Sequence, residues 1–136
     1  MDACTTAYNM GFEKSVFAAL AGLFPDLGSH LMNIHGNMKD IMIPFAQKHC
    51  CTKAMQGSYS IKHVLPALCP DDPSLDYGKL EDVHNGNEAS AAFASMAAMS
   101  PEEQKKTREN LLKYCGLDTL AMVKVWEKLK ELGSRE

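Results

Sequence analysis

No run of apolar residues in this chain is long enough to cross a bilayer, and no secretory signal pattern opens it. No CxxC pair occurs. The five cysteines, Cys4, Cys50, Cys51, Cys69 and Cys115, are odd in number and two are adjacent, which argues against a disulfide framework and for a reducing, cytoplasmic setting. His49, Cys50, Cys51, His63 and Cys69 follow no common zinc spacing, and small buried hydrophobes with a few exposed thiols are the plainer reading. An excess of positive charge is also missing. The formal net charge is -3, so bulk electrostatics do not suggest a nucleic-acid binder, although a local basic patch stays open. There is no internal repeat and no low-complexity linker.

What is present suffices for one domain. At 136 residues, with 46% hydrophobic and 23% charged residues, the chain can bury a real core. Cys4 to Asn9 reads as a short strand without an obvious partner, and a lone strand is rarely stable. The chain therefore reads as the later part of a larger α/β domain. Gly11 to Leu23 reads as a helix with Phe12, Val16, Phe17, Leu20 and Leu23 on one side. Pro25 ends it, and Asp26 to Met32 opens another helical piece. Met38 to Phe45 fits a short strand or a helical turn, and Pro44 leaves both open.

His49 to Tyr59 is loop-like, and Ser60 to Leu68 reads as a helix capped by Ser58 or Ser60. Asn85-Gly86-Asn87 is a turn signal. Glu88 to Met99, rich in Ala and Met, reads as a helix. It is either a packed core helix, the plainer reading, or an exposed partner surface, and exposed apolar area discriminates the two. Ser100-Pro101-Glu102-Glu103 is a strong helix start, with a serine cap, proline at the first position and an acid three residues after the cap. That helix is expected to run, with a bend near Gly116, to Leu132, where Gly133 ends it.

Within that last helix Leu111, Cys115, Met122, Val125, Leu129 and Leu132 fall on one stripe, with Lys113, Lys124, Glu127 and Glu131 opposite. Asp118 sits in the middle of the apolar stripe, and Tyr114 lies one turn before it. An unpaired buried carboxylate is expensive, so a cation, a donor or a wet cleft should receive it. A tyrosine four residues from a carboxylate can orient a metal-bound water, and a hard oxygen suits Mg²⁺ or Mn²⁺. The plainer reading is a structural hydrogen bond from Asp118 to a neighbouring group. A second constellation is Asn9-Met10-Gly11-Phe12-Glu13, where a strand ends, the backbone turns at Gly11 and Glu13 enters the first turn of a helix. There an acid also complements the helix dipole.

Taken together, N-x-x-F-[DE] at a strand end and a later helical Y-x-x-x-D resemble the second and third motifs of the DnaQ-like exonucleases. These are ribonuclease H-like proteins of the DEDD class, tyrosine subtype. Lys39-Asp40-Ile41-Met42 resembles a strand start of that superfamily, and Ser58 to Leu65 its S-L-K helix. The run Met55 to Leu68, then Gly86 to Ser90, then Tyr114 to Val125, is similar to an uncharacterised bacterial domain family of unknown function placed with those nucleases, over nearly the whole chain.

The resemblance implies an α/β, ribonuclease H-like but truncated fold. It would be mostly helical, with one to three short strands, spanning residues 1–136 as one domain. It also implies a metal-dependent 3′–5′ exonuclease acting on DNA or RNA through two Mg²⁺ or Mn²⁺ ions. Glu13 and Asp118 stand at metal ligands and Tyr114 at the water-positioning residue. Asn9 stands at the strand end, Phe12 near the substrate and Lys62 near a phosphate. The carboxylates of Glu13 and Asp118 should then lie within roughly 8 Å of one another.

Two departures qualify the resemblance. Glu13 stands where Asp is usual, and the first motif, D-x-E, is absent, since Asp2-Ala3-Cys4 ends in cysteine. The chain is thus expected to be a C-terminal fragment, inactive or nearly so by itself, whose open sheet edge favours self-association. The alternative is a degenerate nuclease fold that only binds nucleic acid or a protein.

Overall fold

The computed structural model describes residues 4–134; Asp2 and Ala3, and with them most of the segment compared with D-x-E, lie outside the described residues. The fold is mostly helical with two short strands, consistent with α/β. Its contacts divide it into two compact units, Met1–Val64 and Leu65–Glu136.

In the first unit the expected strand finds its partner. β1 (Thr5–Ala7) pairs in parallel with β2 (Met38–Asp40), in the register Thr5 to Met38 and Ala7 to Asp40. Parallel neighbours require a crossover, supplied here by α1 (Gly11–Leu23) and α2 (Pro25–Gly36). α1 has the bounds expected from its apolar spacing, and Pro25 occupies the first turn of α2, where its missing N–H costs nothing. The segment Met38 to Phe45, which fits a strand or a helical turn by sequence, is both in succession: β2, then α3 (Ile43–Ala46). A 3-10 turn at Lys53–Met55 interrupts the expected loop before α4 (Ile61–Leu68), inside which the unit boundary falls.

Ala7, Met38, Ile41, Phe45, Met55 and Val64 are buried in this unit, whereas the paired helices α1 and α2 contain no buried residue. The apolar side expected for α1 is split: Phe17 and Leu20 are half-buried, while Phe12 and Leu23 are each 72% exposed.

The second unit comprises two 3-10 turns, Pro73–Leu75 and Tyr77–Lys79, then α5 (Gly86–Ser95), a further 3-10 turn at Met96–Ala98, and α6 (Pro101–Gly133). The start of α6 is the expected capping box: the Ser100 side chain accepts from the Glu103 N–H, and Glu103 accepts from the Ser100 N–H. The helix passes Gly116 without interruption.

Three expectations are corrected in this unit. Val125 is buried as expected, but the rest of the buried stripe of α6 is Asn110, Tyr114, Leu117 and Ala121, offset from Leu111, Cys115 and Met122, and Cys115 and Leu132 are exposed. The stripe shifts because this helix docks with an aromatic and an amide against the preceding loop. Asn85-Gly86-Asn87 is not a free turn but a helix start, its Asn85 side chain accepting from the Glu88 N–H. The Ala/Met segment is not a core helix either: α5 has no buried residue, and Phe93 is 71% exposed.

Candidate functional site

The first half of the candidate site is built at the end of β1. The turn is made at Asn9, not at Gly11. Asn9 has φ of +66°, in the left-handed region that asparagine tolerates better than most side chains, and Gly11 has no such backbone. Asp40, at the end of the paired strand, holds this turn. One of its oxygens accepts from the Asn9 N–H (3.0 Å) and the Met42 N–H (2.9 Å), and the other accepts from the Met10 N–H (3.0 Å). Parallel pairing in register puts Asp40 beside Ala7, so its carboxylate reaches the amides that follow β1.

The chain delivered by this clamp enters α1 with Glu13 in the first turn. Glu13 is half-buried, and its Oε2 is shut off from solvent without a hydrogen-bond partner. Buried polar oxygens are nearly always satisfied, so an orphaned carboxylate oxygen at a helix start calls for a positive or donating partner. Phe12, beside it, projects into solvent, and Lys62 is exposed in the first turn of α4.

The second half lies on α6. Asp118 is half-buried at the edge of the buried stripe rather than in its middle, and the Tyr77 hydroxyl donates to its Oδ1 at 2.7 Å. Tyr77 is therefore the group that receives the displaced acid. No periodicity points to it, because it stands in an irregular proline-bearing loop. Tyr114 is buried and meets Tyr77 edge-on, with ring centroids 6.2 Å apart. Burial, then the hydrogen bond to Asp118, push the Tyr77 phenol far above its ordinary range. Burial and the Asp118 charge also raise Tyr114. One turn earlier, the Asn110 amide donates to Asp82 (3.0 Å), which itself has φ of +64°, so α6 grips the loop at two places.

The structure thus joins Asn9, Phe12 and Glu13 around the β1 turn in the first unit, and Tyr114 and Asp118 around Tyr77 in the second. As metal ligands the two acids fit unequally. Glu13 offers an unused hard oxygen, whereas one oxygen of Asp118 already accepts from Tyr77, which leaves its other oxygen the freer ligand. Among the described residues, no group of three or more His, Cys, Asp or Glu side chains is placed to hold a metal ion. Nor is any helix among them long and apolar enough to cross a membrane.

Residues 1–60 match the model of a family described as a domain of unknown function, DUF2779. The match contains the whole β1 turn, Glu13 and the Asp40 clamp, and stops before α4 and α6, short of the nearly complete coverage expected from the motifs. No curated protein and no solved structure matches the chain.

Proposed function

We propose that the chain is part of a metal-dependent, 3′–5′ exonuclease-like domain that hydrolyses phosphodiester bonds of DNA or RNA. The observation that carries this reading is Glu13: a carboxylate oxygen hidden from solvent without a partner, in the first helical turn after the carboxyl end of a parallel strand. In α/β sheets that end of the strands is where ligands bind.

Glu13 and Asp118 are the metal-holding residues of this reading. Paired Mg²⁺ or Mn²⁺ ions, when bound, activate water and stabilise the leaving oxygen. The chain's own contributions are positional. Asp40 fixes the backbone that presents Glu13, and Tyr77 fixes the Asp118 carboxylate. The Tyr114 hydroxyl orients the attacking water, Asn9 and Phe12 border the substrate, and Lys62 meets a phosphate. Two further carboxylates, on a D-x-E strand, complete the set, so the chain by itself is expected to be inactive or nearly so.

The test is a protein that carries this chain together with such a strand. It should cleave nucleic acid in Mg²⁺ or Mn²⁺ and lose that activity on Asp118→Ala; full activity in the variant contradicts the proposal. A second reading, a degenerate nuclease fold that binds nucleic acid or a protein without cutting, is favoured by the hydrogen bond that occupies Asp118 and by Glu in the place of Asp at position 13. Under that reading the D-x-E-bearing protein binds but does not cleave.

A further inference from the structure

Both parallel strands of the first unit run out toward one cavity of about 500 Å³, inside the range of roughly 300–1,000 Å³ usual for small-molecule sites. Tyr8 and Asn9 follow β1, Met42 follows β2, and Ser58, Tyr59 and Ser60 precede α4. The carboxyl ends of parallel strands are where open α/β sheets take their ligands, which singles this cavity out.

Its walls are fixed. The Tyr8 ring stacks on Phe45 (centroids 6.5 Å apart, 25° between planes), and its hydroxyl donates to the Tyr59 carbonyl at 2.6 Å. That bond ties the loop bearing Tyr59 to the end of β1, and the Tyr59 side chain is left 52% exposed at the cavity. The Asn9 backbone is pinned by Asp40, so the exposed Asn9 amide, both donor and acceptor, is held at the rim without being used by the clamp. Charge is also unevenly shared along the chain. Between Cys4 and Val64 there are five lysines against three acids, Glu13, Asp26 and Asp40, so the negative balance of the whole chain arises elsewhere.

We infer that this cavity seats one base of a single-stranded nucleic acid, stacked on the Tyr59 ring and met at its edge by the Asn9 amide. Aromatic stacking is the common way to hold unpaired bases, and an asparagine amide suits the donor–acceptor edge of adenine. The choice of ligand rests on the nucleic-acid reading above; the place rests on the strand ends and the cavity.

The experiment is fluorescence anisotropy of end-labelled ten-nucleotide oligoadenylates, DNA and RNA, with the full 136-residue chain at low salt. Tyr59→Ala should weaken binding about tenfold, and Tyr59→Trp should retain it. Asn9→Gly, which keeps the left-handed backbone accessible while removing the amide, should weaken it a few-fold. Amide shifts on titration should gather at Tyr8, Asn9, Met42 and Ser58 to Ser60. Tight binding that ignores Tyr59→Ala and Asn9→Gly, or shifts gathered elsewhere, overturns the cavity assignment and leaves the nucleic-acid reading standing. No binding of either oligonucleotide overturns both.

Discussion

The Tyr77 hydroxyl donates to Asp118 Oδ1 at 2.7 Å across 41 residues of sequence, and this one bond explains how an acid is tolerated beside the buried stripe of α6. Tyr77→Phe keeps the ring against Tyr114 and removes only the donor. A half-buried carboxylate that loses its partner should cost about 1–2 kcal/mol, read as a lower urea midpoint with an unchanged slope. No change in midpoint means that water replaces the phenol and the bond is incidental.

Alkaline pH tests the same group. Tyr77, Tyr8 and Tyr114 are all harder to ionise in the folded chain than in the unfolded one, chiefly through burial. A phenol raised in this way stabilises the fold fully below the unfolded value of about 10, and that contribution is lost as pH climbs from there toward the folded value. Thermal stability should therefore fall above about pH 10, and fall less steeply in Tyr77→Phe. Equal slopes in the two proteins contradict the burial of a protonated Tyr77.

Asp40 serves three backbone amides, so Asp40→Ala should cost about 2 kcal/mol or more even though the side chain is only half-buried. Asn9→Val, forced to a φ of +66°, should cost about 1–2 kcal/mol, while Asn9→Gly should be nearly neutral. Thermal unfolding of the three variants decides; an innocuous Asn9→Val means that the turn relaxes.

Phe12 and Leu23 are large apolar side chains left 72% exposed on α1. Phe12→Ser and Leu23→Ser should each change stability by less than about 0.5 kcal/mol. If the chain self-associates through this helix, both should shift sedimentation toward monomer; if it associates through the open strand edge, neither should.

Local rules make several elements legible in the sequence. α1 declares itself by apolar spacing and a following proline, and the α6 start by Ser100, Pro101 and Glu103, because caps and periodicity act within one or two turns. Of the candidate residues, Asp118 stands out in the sequence as an acid beside an apolar stripe, and the structural hydrogen bond that is its plainer account is present as the bond from Tyr77. Glu13 reads in the sequence as an ordinary first-turn acid, and only the structure shows its unpartnered oxygen.

What local rules do not supply is non-local. Tyr77 lies in a loop without periodicity, and the parallel pairing of two three-residue strands depends on a crossover rather than on either strand's own pattern. The offset of the buried stripe in the first part of α6 follows from Asn110 and Tyr114, polar-tipped residues that a count of apolar positions passes over, whereas Val125 is legible in that count. The same count assigns the exposed Ala/Met helix to the core, since small apolar residues are nearly indifferent to burial.

The central proposal is that Glu13 and Asp118 are metal-holding residues. Its most direct test is titration of isotope-labelled chain with substoichiometric Mn²⁺, following amide broadening by NMR. The account predicts that amides around Glu13 and around Asp118 broaden, that Glu13→Ala removes the broadening around Glu13 and Asp118→Ala that around Asp118, and that Mg²⁺ reverses both. Broadening at only one of the two, or spread over the exposed acids Glu102, Glu103 and Glu109 instead, contradicts it.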